Sequence, residues 1–200
     1  MNFNCEIKGH ILEYIEDGHI YLVDGVIVPS ITEMLKVKFG NKYDFVSEDL
    51  LKRSAEYGTK IHEAVQKYCE DGEDDGSQEI RSFRLLQSHY GFMVLENEVP
   101  VILFRDGDPI GAGRLDLVLA HDGEIGGADI KSVSSLDKLY LFYQLNLYRI
   151  AYRQSYDIEW QFLKGIQLKE QKRKYVPIPI NEDLAWELVD KFMEEHSEYY

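Results

Sequence analysis

Three residues set the chemistry to be explained: Asp116 in "GRLDLVLA", and Asp129 with Lys131 in "GGADIKS". On an extended strand, the spacing of Asp129 and Lys131 aims both side chains at one face and puts Ile130 on the other. In the earlier stretch, Leu115, Leu117 and Leu119 would share one face, and Arg114, Asp116 and Val118 the other. A short turn, "HDGE", separates the two stretches. The strands should therefore be neighbours, with Asp116 facing Asp129. Two adjacent carboxylates repel, and one tends to stay protonated. A divalent cation between them removes the repulsion. Mg²⁺ takes oxygen ligands, keeps several waters and is held by one or two carboxylates plus substrate phosphate. Lys131 beside it would orient water or stabilise negative charge on phosphorus. The competing explanation is a surface ion pair, Asp129–Lys131, with Asp116 as a lone strand acid.

Other residues bear on that choice. Glu98 and Glu96 stand in "ENEVPV" on one strand face, and either could supply a further metal-site acid. The alternative is that they are exposed edge-strand acids. His62 lies beside the apolar stripe of a helix. It is a structural histidine or a ligand, and as a ligand it leans toward Mn²⁺ over Mg²⁺. Gln144 and Tyr148 are four apart, hence stacked on one helix face. In so apolar a helix, the Gln144 amide needs a hydrogen-bond partner.

Elements must position these side chains. Residues 10–28 alternate apolar and polar around Asp17-Gly18 and Asp24-Gly25, which predicts short antiparallel strands with glycine turns. Ser30 caps a short helix, "ITEMLK". A second helix starts near Ser47 and should break around Gly58, where a third begins with Ile61, Val65 and Tyr68 inward. The acidic block 70–77 is a loop, and 78–90 a further helix. Residues 92–104 favour strand, with Pro100 at a bend or edge. Two more strands, over "GAGRLDLVLA" and "IGGADIKS", follow. Residues 137–156 form a helix apolar almost all round and hence buried. Strands at 159–168 and 174–179, joined by a basic turn, precede a helix over 182–196. The pattern is a single α/β domain: a mixed central β-sheet flanked by α-helices.

Bulk properties narrow the function. The 200 residues suffice for one domain with a core, and 44% are hydrophobic. No apolar run approaches a membrane span of about 20 residues, so no membrane association is expected. No basic-then-apolar leader opens the chain, which argues against secretion. Cys5 and Cys69 cannot build a four-thiolate iron–sulfur cluster. A net charge of −14 excludes a general affinity for nucleic acid but not a local basic groove. Lys172, Arg173 and Lys174 are the strongest candidates for DNA phosphate contacts, against the alternative of a solvated turn.

Taken in order, "GTKIHEA", "ENEVPV", "GAGRLD", "GADIKS" and "QLNLY" resemble the PD-(D/E)XK nuclease superfamily. The branch is that of RecB-type and lambda-exonuclease-like enzymes, many of them phage-associated. The resemblance spans residues 19–150 and implies a restriction-endonuclease-like core at 47–200, preceded by an N-terminal β-hairpin and short helix over 1–46. It implies that His62, Glu98, Asp116, Asp129 and the Ile130 carbonyl surround one or two Mg²⁺ or Mn²⁺ ions, and that Lys131 assists the attacking water. Gln144 and Tyr148 match the family's Gln-x-x-x-Tyr motif near the catalytic centre. Leu115 stands where many members have proline, although Gly113 to Asp116 keeps the Gly-x-x-Asp form of this branch. The implied activity is hydrolysis of DNA phosphodiester bonds, foremost as an exonuclease on linear DNA in recombination, repair or phage DNA processing. A structure- or site-specific endonuclease and a catalytically inactive regulatory protein are the alternatives. The implied setting is a bacterial or phage-infected cytosol. DNA is the implied partner, with a recombinase, a single-strand-binding protein or further copies of the chain as companions.

Overall fold

The computed structural model describes residues 2–40 and 47–196. The chain opens with four short antiparallel strands in sequential order: β1 (Phe3–Ile7), β2 (His10–Ile15), β3 (Ile20–Val23) and β4 (Val26–Val28). Tight turns with glycines at positive φ, such as Gly18 and Gly25, reverse the chain between them. The expected N-terminal hairpin is therefore a four-stranded meander. β1 went unforeseen, although Lys8 and Gly9, both at positive φ, form the turn that joins it to β2. Leu12, Tyr14, Tyr21 and Val23 face Ile102 and Ala112 of the second sheet in a small core of their own.

Ser30 then caps α1 (Ile31–Met34), its Oγ accepting the Glu33 N–H at 3.0 Å. A further turn, α2 (Lys36–Phe39), packs against the last helix. The boundary expected at residue 46 lies outside the described residues.

α3 (Glu48–Asp71) runs unbroken through Gly58, where a helix end was expected. Glycine disfavours helix by about 1 kcal/mol but does not forbid it. Its role is spatial: a Cβ on Gly58 would sit 3.1 Å from Ser132 Oγ. The missing side chain lets α3 lie against the end of a strand. α4 (Gln78–Tyr90) follows, capped by Ser77.

The second sheet has the order β5 (Met93–Arg105), β6 (Asp108–His121), β7 (Glu124–Lys131), β8 (Phe162–Lys169) and β9 (Lys172–Ile178). β7 and β8 pair in parallel and every other neighbour is antiparallel. The parallel pair requires a crossover, made by α5 (Lys138–Tyr156). Its Asp137 cap accepts two backbone N–H groups. α6 (Glu182–Glu195) closes the described chain. The protein is thus a mixed α/β single domain whose central sheet is covered by α3 and α4 on one face and by α5 and α6 on the other. Among the described residues, no helix is long and apolar enough to cross a membrane.

The glycines of "GGADIKS" answer to close packing. A Cβ on Gly126 would meet the Phe162 ring and backbone at 2.4 Å, and one on Gly127 would meet the Trp160 ring at 2.0 Å. Trp160 is fully buried, so it cannot yield cheaply. Gly127→Ala should destabilise the fold by about 1–3 kcal/mol through overpacking. Urea unfolding would show this as a lower midpoint with an unchanged slope. A midpoint equal to wild type would mean that Trp160 moves aside.

Candidate metal centre

β6 delivers the first acid. Its ladder with β7 ends at Leu117↔Ala128, and one further step in that register sets Asp116 opposite Asp129. The Asp116 carboxylate enters the gap, where Oδ2 accepts the Ile130 backbone N–H at 2.6 Å. An N–H left unpaired there would cost about 1–3 kcal/mol, so this bond pins the carboxylate between the strands. The even alternation of faces expected along β6 does not hold here. Leu117 and Leu119 pack under α3 and α4, whereas Leu115 packs with α5 and α6.

β5 carries the second acid at the same level. Asn97 pairs with Leu117 and Val99 with Leu115, which leaves Glu98 opposite Asp116. Glu98 has a φ of 51°, a left-handed conformation that costs a residue with a Cβ about 1–2 kcal/mol. Its Oε2 lies 2.6 Å from Arg114 Nε. Glu96, two residues earlier, is elsewhere: it accepts the Tyr152 hydroxyl at 2.7 Å on the α5 side. The register runs evenly from Glu96 to Val99, so it is the positive φ of Glu98 that breaks the shared face expected for the two acids.

α3 supplies an imidazole. Gly58 and His62 are one helical turn apart on the same face. The close approach at Gly58 therefore brings His62 over the strand ends. His62 Nδ1 stands 3.5 Å from Asp116 Oδ1 and 3.8 Å from Glu98 Oε1. These separations exceed a good hydrogen bond. Ligands about 2.1 Å from one cation, at 90–110° to each other, are about 3.0–3.4 Å apart, so a small side-chain rotation suffices. One donor atom from each of His62, Glu98 and Asp116 lies within 4.8 Å of the others, and this group could hold a metal ion. Each carboxylate commits one oxygen to a neighbour and turns the other toward His62.

Asp129 and Lys131 share a face of β7, as the spacing predicts. Lys131 Nζ is 2.6 Å from Asp129 Oδ2. Ile130 points the other way, into the core beneath α3 and α4. Burial and the nearby Asp116 charge hold the Asp129 carboxyl above the usual carboxylate range, although Lys131 pulls it down. Burial pushes the Lys131 ammonium down, but Asp129 and Asp116 outweigh it and leave its pKa raised. For His62, too, burial favours the neutral ring. The charges of Asp116, Glu98 and Asp129 prevail and raise its pKa to about 9.

α5 backs the site. Tyr148 donates to the Arg114 carbonyl at 3.1 Å, and its ring fills the space where a Gly113 side chain would stand. Gln144, on the same helix face, is buried, and its Oε1 meets no donor among the described residues. Such an atom is set to meet water or a ligand. Lys172, Arg173 and Lys174 lie on β9 rather than in the turn, and all three are exposed. Lys172 donates to the Ser134 carbonyl, close behind Lys131 in sequence, while Arg173 and Lys174 stand farther along the strand.

Sequence reasoning did not assign Arg114 a role. It orients Glu98 and packs over the rings of Phe3 and Tyr14 from the meander, at 6.0 and 5.6 Å. The available signal was its place beside Asp116 on an alternating strand. No described protein family and no curated protein matches the chain. Among solved structures, the crystal structure of SSO0001 is similar, with a TM-score of 0.49 and 14% identity over 84% of this chain and 76% of that one.

The raised pKa of His62 has a measurable consequence. The stability it confers is complete below its ordinary value of 6.5 and is lost as pH rises through about 9. In EDTA, unfolding free energy should fall between these values in wild type, with a shallower fall in His62→Gln. Parallel pH profiles for the two proteins would contradict the assigned charge cluster.

Proposed function

We propose that this chain is a Mg²⁺- or Mn²⁺-dependent deoxyribonuclease with a PD-(D/E)XK, restriction-endonuclease-like core. The observation that carries the reading is the convergence of His62 Nδ1, Glu98 Oε1 and Asp116 Oδ1 beside the Asp129–Lys131 pair. An imidazole, two oriented carboxylates and an adjacent ammonium suit a site for a hard cation and a phosphate.

The donor set fits a divalent ion on charge grounds as well. Glu98, Asp116 and Asp129 bring three negative charges, and Arg114 and Lys131 return two. The remainder is met either by a proton on His62 or by a cation. His62, Glu98 and Asp116 would hold that cation, with Asp129 and the Ile130 carbonyl as the further ligands that the family resemblance implies. Bound there, it would neutralise charge on the phosphoryl oxygens and make water a stronger nucleophile. Lys131 has its Nζ placed by Asp129 to donate a hydrogen bond to the attacking water or to a phosphoryl oxygen. Arg114 holds one Glu98 oxygen and thereby aims the other. Gln144 can offer its amide to the substrate, and Tyr148 braces the backbone of β6 at Arg114. Lys172, Arg173 and Lys174 would hold phosphates without reading bases.

Exonuclease action on linear ends is the preferred form of the activity, with an endonuclease of the same chemistry as the alternative. Digestion of end-labelled linear duplex beside a closed circle separates them. Asp116→Ala or Asp129→Ala should abolish Mn²⁺-dependent cleavage while DNA binding in Ca²⁺ largely persists. Turnover equal to wild type in either variant would end the assignment. Lys131→Ala should keep Mn²⁺ affinity and slow the single-turnover cleavage step by about 10²-fold or more. Loss of Mn²⁺ binding in that variant would overturn its role.

A further inference from the structure

Away from the metal centre, an open groove of about 490 Å³ runs between the end of α4 and β9. Its walls include Leu85, His89 and Tyr90 from the helix, and Arg173, Lys174 and Tyr175 from the strand. None of the groove's lining residues is acidic, in a chain with 36 Asp and Glu and a net charge of −14. A local surplus of positive charge on so acidic a protein is a feature to be explained.

The aromatic arrangement supplies a second, independent observation. Tyr90 is 39% exposed and lies 4.7 Å, centroid to centroid, from Tyr175. Tyr175 stacks in turn on Phe92 at 4.9 Å and 9°. The Lys164 ammonium lies 4.9 Å from the centre of the Tyr175 ring. Tyr90 is tilted 37° to Tyr175 and has the His89 ring perpendicular to it at 4.6 Å, so it is the exposed outer member of a ring cluster that Lys164 approaches at Tyr175. The Tyr175 hydroxyl is buried and meets no hydrogen-bond partner among the described residues.

Strand register connects the groove to the catalytic end of the sheet. Lys131 pairs with Gln167, and Gln167 with Lys174. Two strand spacings separate Lys131 from Lys174, about 10 Å. Paired residues share a face, so Lys174 emerges on the Lys131 side of the sheet and Arg173 and Tyr175 on the α4 side, with only the edge strand β9 between the groove and the face that carries Lys131.

We infer that this groove binds single-stranded nucleic acid, with a base stacked on Tyr90, one flanking phosphate held by Arg173 on the groove face and the next by Lys174 across the edge strand. The inference rests on the nuclease reading and adds the strand form that the enzyme takes. A base inside a duplex has both faces covered by its neighbours, so away from a duplex end an exposed ring can be used only by an unpaired base. Stacking on aromatics together with a basic track is the general chemistry of single-strand grooves. The flanking basic residues supply the salt-sensitive term.

The test is equilibrium binding in Ca²⁺ of three labelled probes. They are an oligothymidylate of about 15 nucleotides, near the upper site size of such grooves, an abasic strand of the same charge, and a blunt duplex. Tyr90→Ala should weaken oligothymidylate binding about tenfold or more, and Tyr90→Trp should restore it. Wild type should prefer oligothymidylate to the abasic strand by a similar factor. Arg173→Gln should weaken both single strands and lower the salt slope by about 0.7. Unchanged oligothymidylate binding in Tyr90→Ala, equal wild-type affinity for the abasic strand, or no binding of oligothymidylate at all would each overturn the inference. The nuclease reading is judged apart from these, by Mn²⁺-dependent cleavage of single-stranded and duplex DNA in wild type and Asp116→Ala.

Discussion

The centre depends on one hydrogen bond, from the Ile130 backbone N–H to Asp116 Oδ2. It occurs where β6 and β7 stop pairing, and it replaces the ladder bond that the strands no longer make. Burial at this depth demands that the N–H be satisfied. The fold therefore needs a carboxylate or its equivalent at position 116 on structural grounds. With Oδ2 engaged, Oδ1 is left facing His62. One side chain thus closes the end of a ladder and presents a donor atom to the site.

Glu98 shows the same economy at the cost of backbone strain. Its left-handed φ sits level with Asp116, where both strands shift which face they show to the cores. A residue held in that conformation stays there only when its surroundings over-determine it. Arg114 is the surrounding that does so for the side chain, and the rings of Phe3 and Tyr14 flank Arg114 in turn. The N-terminal meander thereby reaches the centre through the Arg114 guanidinium. Tyr148 reaches it from the opposite helix through the Arg114 carbonyl.

Electrostatics bind the parts into one charge cluster. Asp129 and Lys131 neutralise each other, and Glu98 and Arg114 do likewise, which leaves Asp116 against His62. The imidazolium supplies positive charge that a cation could supply instead, and a proton and a metal ion would compete for its ring nitrogen. The same cluster is a charge network that could hold a metal ion.

The sequence alone was enough to read most elements, because each carries a local cause. Ser30, Ser77 and Asp137 cap helices by bonding to nearby backbone. The Asp129-x-Lys131 spacing settles a shared face because strand periodicity is a property of the backbone. Three things lay beyond it, and each depends on residues distant in the chain. Gly58 looked like a helix end, since nothing nearby reveals that Ser132 will press against it. Glu96 and Glu98 share a face by spacing, and only the left-handed backbone at Glu98 sends one to Tyr152 and the other to Arg114. The groove beside Tyr90 exists only because the sheet order sets β9 next to α4. Local covalent and hydrogen-bond preferences are written along the chain. The aim of a side chain at a slipped register, and the neighbours it meets, are decided by packing between strands and helices far apart in sequence.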